Sequence, residues 1–232
     1  MSQPGATIII PAYNEEDGIA IVLQNVFRVM DGTSEVIVVD DGSDDATVEV
    51  ASAFPCRIIK HETNQGKGEA LKTGIKHATR ESVIFIDADA SYPVEVIPRM
   101  AELLERYDMV HCARTEGRDN IPPLNRLGGA IFQGLLRYVY GFRVRDYCTG
   151  LYGAKRCYLQ RMDLSSRGFD IEPEIAVKAS RMKLQMQEIP IEYRPRVGET
   201  KLNSFKAGLE HLKTILSLLF WRSNHHENIA SG

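Results

Sequence analysis

The chain has 232 residues, 44% of them hydrophobic, and a net charge of −3, so it can bury one large core and lacks the basic excess expected of a nucleic-acid binder. Its four cysteines, at positions 56, 112, 148 and 157, form neither a CxxC pair nor a zinc-ligand spacing, which points to reduced thiols in a cytosolic compartment. No stretch reads as a signal peptide or approaches the ~20 apolar residues of a membrane span, so the expectation is a soluble or peripheral protein.

In chain order, Ala6–Pro11 reads as a buried strand and Asn14–Val29 as an amphipathic helix. Glu35–Asp40 follows as a strand, Asp44–Ala53 as a helix capped by Ser43 or Asp44, and Arg57–Lys60 as a short strand. Gly66–Ala78 is helical, a fourth strand ends at Asp87, Pro93–Arg106 is helical, and Met109–Ala113 is a fifth strand. Strands alternating with helices at this spacing predict an α/β, doubly wound, mainly parallel sheet. After residue 113 the rhythm breaks. Arg114–Asn120 reads as a mobile loop, and Pro122–Tyr140 carries apolar residues at 124, 127, 131, 135 and at 128, 132, 136, 139, which is helical spacing. Gly150–Ala154 and Met186–Tyr193 read as strands, Glu172–Met182 and Ser204–Trp221 as helices, and 222–232 as a disordered tail.

The fourth strand, Val83–Ile86, runs into Asp87-Ala88-Asp89. In parallel sheets ligands gather at the carboxyl ends of strands, and two carboxylates there repel unless a cation sits between them. Such oxygen ligands suit Mg²⁺ or Mn²⁺ completed by a substrate diphosphate, while the alternative is a helix start capped by Asp89 or Ser91. Asp40-Asp41-Gly42-Ser43 closes the second strand, where an acidic residue can accept from a ribose or base, or simply form a turn and cap. The first turn, Pro11-Ala12-Tyr13-Asn14-Glu15, is no G-x-G-x-x-G, which argues against a dinucleotide site. Asn64-Gln65-Gly66-Lys67-Gly68 turns into a helix and offers N–H groups and the Lys67 cation to an anion.

The segments IIIPAYNEE, VVDDGSDDAT, NQGKGEALKTGI and FIDADASYP, in that order, resemble the GT-A glycosyltransferases of family 2. NRLGG, RDYCTGLYGAKR, GFDIEPEI and EIPIEYRPRVGETKLN narrow the resemblance to the dolichyl-phosphate mannose and glucose synthase branch, over roughly residues 6–219. The resemblance implies one GT-A domain over 1–221, with a nucleotide-sugar half (6–113) and an acceptor half (114–221). It implies that Pro11, Tyr13, Glu15 and Asp41 cradle the nucleoside, with Lys67 and Ala88 also lining the donor site. By the same resemblance, Asp87 and Asp89 hold Mg²⁺ or Mn²⁺ on the diphosphate. Family members often carry Gln where this chain has Ser91, whose shorter side chain reaches a metal less readily.

The implied reaction moves a hexose from a nucleotide-diphosphate sugar (GDP-mannose, UDP-glucose or UDP-N-acetylglucosamine) to dolichyl or polyprenyl phosphate. A lipid phosphate, with a second pKa of roughly 6, is already a nucleophile near neutrality and needs cations rather than a base. The resemblance places Arg114, Arg196 and Lys201 at the phosphate, with Arg126 in addition, and makes Asp89, Arg114 and Arg196 the catalytic set. A hydroxyl acceptor would instead need a carboxylate base, for which Glu172, Glu174 and Asp146 are the candidates. A non-catalytic nucleotide-sugar-binding module is the alternative from another class. Pro122–Tyr140 and Ser204–Trp221 suit either core packing or attachment to the cytoplasmic face of a membrane, where a membrane partner protein is also conceivable.

Overall fold

The structure, a computed structural model, describes residues 4–30, 32–201 and 204–222. Strands β1 (Ala6–Ala12), β2 (Glu35–Asp40), β3 (Arg57–Lys60), β4 (Ser82–Phe85), β5 (Met109–Glu116), β6 (Tyr152–Lys155) and β7 (Met186–Glu192) form one sheet in the order β3-β2-β1-β4-β6-β5-β7. Pairings β1–β2, β1–β4, β2–β3 and β5–β7 are parallel, and β6 alone runs antiparallel to both its neighbours, β4 and β5. The helices are α1 (Glu16–Val29), α2 (Thr47–Ser52), α3 (Lys67–His77), α4 (Ile97–Leu104), α5 (Pro123–Tyr140), α6 (Arg156–Arg161), α7 (Ile171–Arg181) and α8 (Ser204–Ser217).

Apolar runs with no polar alternation place both faces of the central strands under cover. Ile8 and Ile10 of β1 join Val36, Val38 and Ile84 against Ile19 and Leu23 of α1. Ile9, one residue out of phase, joins Ile37, Val39 and Phe85 against Leu71 and Ile75 of α3 on the opposite face. Each such side chain contributes roughly 1.5–3 kcal/mol when fully buried. A third cluster, built on Leu136, Phe142, Tyr147, Val177 and Ile215, joins α5, α7 and α8, with Met186 of β7 packed against it. Because β6 and β7 come from the second half of the chain yet lie in the same sheet as β1, both halves share one core.

Several boundaries move for identifiable reasons. β4 ends at Phe85 rather than Asp87, with one further rung from Ile86 N–H to the Ile9 carbonyl (3.1 Å) before the chain turns. Residues 114–116 are not loop but strand, because β5 continues along β7 with Arg114 opposite Ile191, and the turn comes at Gly117 (φ +67°). The helix expected from Asp44 begins only at Thr47, and neither Ser43 nor Asp44 caps it. Those residues instead bind the start of α1: Ser43 Oγ accepts from Asn14 N–H (2.9 Å), Asn14 Oδ1 accepts from Asp44 N–H (3.0 Å), and Glu16 Oε2 accepts from Ala46 N–H (2.9 Å). Pro93–Arg106 divides into a 3₁₀ turn at Val94–Val96 and α4. The short α6 has no counterpart in the sequence reading. Apart from the exposed Arg222, the tail expected over 222–232 lies outside the described residues.

Gly18 of α1 lies directly over the segment that follows β4, and a Cβ there would sit 2.5 Å from the Ala88 carbonyl oxygen and 3.0 Å from Asp89 Cα. Alanine favours a helix over glycine by about 1 kcal/mol, whereas forcing a methyl against fixed backbone costs roughly 1–3 kcal/mol. Gly18→Ala is therefore expected to lower, not raise, the midpoint of urea unfolding. A more stable variant would show that α1 does not hold the Asp87–Asp89 segment in place.

Candidate active site

Parallel register brings the ends of β1, β2 and β4 to one edge of the sheet, carrying Tyr13–Glu15, Asp41 and Asp87–Asp89 with them. From β1 the chain order runs outward to β2 and β3 on one side and to β4 on the other, so the crevice between β1 and β4 is the switch point where such sheets bind ligands. After Ile86 the backbone turns sharply, and Ala90 takes φ +58°, a left-handed conformation that costs a residue with a Cβ roughly 1–3 kcal/mol. Asp89 Oδ1 stabilises this turn by accepting from Ser91 N–H (3.0 Å) and from Ser91 Oγ. The strap after β7 then pairs with the turn: Arg194 N–H donates to the Ser91 carbonyl (2.9 Å) and Val197 N–H to the Asp89 carbonyl (2.8 Å).

That pairing delivers Arg196 and Lys201 to the carboxylates. Arg196 Nη2 lies 3.3 Å from Glu15 Oε1 and 3.6 Å from Asp89 Oδ2, and Lys201 Nζ lies 3.9 Å from Glu15 Oε1 while donating to the Asn14 carbonyl (2.7 Å). On the far side Lys67, at the first position of α3, bridges Asp87 Oδ1 (2.8 Å) and Glu172 Oε1 (2.7 Å). Burial alone would pull the Lys67 pKa down, but the two carboxylates outweigh it and hold it well above the usual lysine value. Burial and the nearby Asp87 charge push the Asp89 carboxyl up, against hydrogen bonds from Ser91 and the charge of Arg196. Burial pushes Glu15 up to about 7, although Lys201 and Arg196 oppose it. Three atoms here are buried without a partner: Glu15 Oε2, Arg196 Nε and Glu172 Oε2. Unsatisfied polar atoms of this kind are costly in a finished core and fit a surface that a polar ligand completes.

The remaining expected residues are dispersed or already engaged. Asp41 faces inward, accepting from His61 Nδ1 (2.7 Å), Gln65 N–H (3.0 Å) and Gly66 N–H (2.7 Å), and so ties the glycine turn to the end of β2. Pro11 lies within β1 opposite Val39, and Tyr13 follows it half-buried. Arg114 binds Asp146 through Nε (2.6 Å) and Nη2 (2.9 Å) and the Cys148 carbonyl (2.7 Å). Its guanidinium also lies 5.3 Å from the Tyr193 ring, which packs edge-on against Tyr92. Arg126 pairs with Asp119 (2.7 Å) at the start of α5.

The three carboxylates considered as bases separate cleanly. Arg114, outweighing burial, holds the Asp146 carboxyl below its usual value. Glu174 is buried among Lys178 Nζ (2.6 Å) and the N–H groups of Ser165 and Ser166, which hold its pKa down against burial. Glu172 alone keeps an oxygen without a partner. The aromatic pair Tyr92–Tyr193 was missed by sequence reasoning. Tyr92 Oη accepts from Gly150 N–H (2.6 Å), and a Cβ on Gly150 would meet Asp87 Oδ2 at 2.0 Å, so this pair seats the backbone that closes over Asp87. Nothing in the spacing of Tyr92, Gly150 and Tyr193 signals their meeting, because three separate strand connections bring them together.

Among the described residues no group of three or more His, Cys, Asp or Glu side chains gathers as a metal cage. The site instead offers the carboxylates of Asp87 and Asp89, the latter raised in pKa by burial and by its neighbour's charge. One or two carboxylates completed by substrate phosphates and water is the way Mg²⁺ is commonly held, so the donor set fits a divalent cation carried with a diphosphate.

Residues 7–163 match the family model described as glycosyl transferase family 2. The chain is 34% identical over 213 residues to a dolichyl-phosphate hexose transferase of Haloferax volcanii, covering 91% of this chain and 92% of that one. It is 28% identical to a dolichol-phosphate mannosyltransferase of Pyrococcus furiosus, over 93% of this chain but only 64% of that longer protein. It likewise spans 53% of a hexosyltransferase of low-salt glycan biosynthesis from Haloferax volcanii. Among solved structures, glucosyl-3-phosphoglycerate synthase from Mycobacterium tuberculosis, in complex with Mn²⁺, UDP and glucosyl-3-phosphoglycerate, superposes with a TM-score of 0.75 at 24% identity, covering 92% of this chain and 79% of that one. The fold is thus the α/β GT-A fold expected from the motifs, and the chain belongs to glycosyl transferase family 2 and is a glycosyltransferase.

Proposed function

We propose that this glycosyltransferase moves a hexose from a nucleotide-diphosphate sugar to a dolichyl or other polyprenyl phosphate, at the cytoplasmic face of a membrane. The observation that carries the reading is the strap after β7, hydrogen-bonded to the Asp89 turn and bearing Arg196 and Lys201 beside the carboxylate pair. It supplies two cations where an attacking phosphate and a departing diphosphate must lie close together. The relatives named for dolichyl-phosphate substrates support the same acceptor, and the four free cysteines suit a reducing compartment.

In this reading Glu15 and the β1 turn hold the nucleoside, and Asp87 and Asp89 bind a divalent cation with the donor diphosphate. Bound there, Mg²⁺ or Mn²⁺ supplies Lewis-acid stabilisation of the leaving group. Lys67 keeps Asp87 oriented and Glu172 anchored. Arg196 and Lys201 turn from their carboxylate partners to the phosphates. Arg114, aligned by Asp146, lies behind Tyr193 as a further positive charge, and Arg126 serves the acceptor at the start of α5. An acceptor phosphate oxygen attacks the anomeric carbon with inversion as the bond to the diphosphate breaks, and the nucleoside diphosphate departs with both bonding electrons. No proton needs to be removed from the nucleophile. That matches a site in which Asp146 and Glu174 are both engaged in ion pairs. The second reading is a hydroxyl acceptor with Glu172 as base, and the unpartnered Glu172 Oε2 is what favours it.

Incubating the enzyme with GDP-mannose, UDP-glucose or UDP-N-acetylglucosamine, a short polyprenyl phosphate and Mg²⁺ or Mn²⁺ is expected to give lipid-linked sugar from one donor. Chelation and Asp89→Asn should each reduce transfer by at least about 100-fold with unchanged circular dichroism. Failure of every donor would sink the proposal. The two acceptor readings separate by mutation. Arg196→Ala should weaken use of the anionic acceptor by up to several kcal/mol, on the scale of removing a buried charge partner, while Glu172→Gln retains turnover. The opposite pattern would establish the hydroxyl reading.

Glu15 gives a pH signature. With its pKa raised to about 7, the better hydrogen-bond acceptor, the carboxylate, is lost as pH falls through that value. Calorimetric affinity for the donor should therefore fall by about tenfold from pH 8 to pH 6, and Glu15→Gln should flatten the profile. A wild-type profile as flat as the variant's would remove Glu15 from nucleoside binding.

A further inference from the structure

His61 directly follows β3 and extends its pairing, with its backbone N–H donating to the Asp40 carbonyl (2.8 Å). The side chain is buried and both ring nitrogens are engaged. Nδ1 lies 2.7 Å from Asp41 Oδ1, and Nε2 lies 2.9 Å from Thr73 Oγ1 of α3. Asp41 Oδ1 also accepts from Gln65 N–H (3.0 Å) and Asp41 Oδ2 from Gly66 N–H (2.7 Å). The carboxyl group therefore acts throughout as an acceptor, and His61 Nδ1 is the donor whether the ring is neutral or charged. Burying an imidazole, a carboxyl and a hydroxyl together adds little net stability over apolar groups of the same shape. What it does is fix one geometry.

The geometry so fixed is that of the turn into α3. Gly66, the residue before the first turn of α3, has φ +102° and no side chain with which to cap the helix. Asp41 takes over that task from the end of β2, and His61 sets the direction in which Asp41 points. The next residue is Lys67, whose Nζ bridges Asp87 Oδ1 (2.8 Å) and Glu172 Oε1 (2.7 Å). A continuous path of directional contacts thus leads from Thr73 and His61, through Asp41 and the glycine turn, to the carboxylate at the end of β4.

We propose that His61 is a positioning residue for sugar transfer: clamped by Thr73, it orients Asp41 so that the Gln65–Gly66 turn holds Lys67 between Asp87 and Glu172. His61 touches neither donor nor acceptor. Asp41, both of whose oxygens are engaged, then serves the site by holding this turn rather than by contact with a nucleoside. The proposal needs the glycosyltransferase activity of the chain but not the identity of its acceptor, so it stands whether a lipid phosphate or a hydroxyl receives the sugar.

Two substitutions separate the ring's two contacts. His61→Asn puts an amide nitrogen at the Nδ1 position and keeps the bond to Asp41, whereas His61→Gln reaches the Nε2 position and keeps only Thr73. The first readout is labelling of Lys67 by acetic anhydride in the full chain, followed by mass spectrometry with the exposed Lys76 as internal reference. Held between two carboxylates that raise its pKa, Lys67 should label slowly in the native chain. His61→Asn should match the native rate, and His61→Gln should label about tenfold faster, the scale of one buried hydrogen bond lost. The second readout is turnover: His61→Gln should lower kcat by at least about tenfold through misplaced reacting groups. Its KM for the donor should stay within about twofold of native, and His61→Asn should restore kcat. Equal behaviour of the two variants would overturn the proposal, as would effects that follow melting temperature rather than the contact retained. So would fast labelling of Lys67 with native kcat. Should His61→Gln not fold, Thr73→Val decides, because it releases the far side of the ring: labelling of Lys67 at the native rate would then refute the clamp. Absence of transfer to any polyprenyl phosphate would refute the acceptor reading and leave the labelling result untouched.

Discussion

Two carboxylates one residue apart at the buried end of a β-strand repel each other, and the surrounding site is arranged around that repulsion. Asp87 pairs with Lys67, Asp89 faces Arg196, and the burial that raises Asp89 and Glu15 in pKa leaves them dependent on the cations that approach them. The arrangement is strained by other measures too, with Ala90 in a left-handed conformation and polar atoms of Glu15, Glu172 and Arg196 left without partners. A diphosphate carried with a divalent cation would place positive charge between the carboxylates and give Arg196 a better partner than a carboxylate it shares.

The scaffold makes that arrangement affordable. Strands buried on both faces give a rigid edge, and three close backbone approaches fix what stands on it: Gly18 over Ala88, Gly150 against Asp87, and Gly68 against the Ser166 carbonyl. Each would place a Cβ within 2.5 Å of its neighbour, so glycine at these positions is required by proximity and not by turn geometry. The strap after β7 closes the other side with main-chain hydrogen bonds, so Arg196 arrives with its backbone already ordered. Little conformational entropy then remains to be lost when phosphate binds.

Much of this was legible in the sequence because it is local. Periodicity placed β1, β2, β3 and β7 to within a residue or two, and the DAD segment at the end of β4 stood out because charge following an apolar strand is conspicuous. What escaped the sequence depends on contacts between distant segments. The strand character of Arg114–Glu116 exists only because β7 pairs with it, and the delayed start of α2 follows from hydrogen bonds to α1 some thirty residues away. Arg114 itself looked like a free phosphate ligand. Its partner Asp146, 32 positions along, could be found only once the fold brought them together.

The α5 helix carries the same lesson into function. Its apolar residues fall in two rows, and helical spacing tells which residues share a face but not which face is covered. In the structure Phe132, Leu135 and Leu136 pack into or against the third cluster, while Leu124, Leu127 and Ile131 remain outside. Helix α8 divides in the same way, with Ile215 inward and Phe205, Leu209 and Leu216 outward. A helix that is apolar on two faces has more hydrophobic surface than its own domain can bury, and exposed apolar surface on this scale is disfavoured in water. The opposed demands of core and surface therefore converge on the same two helices.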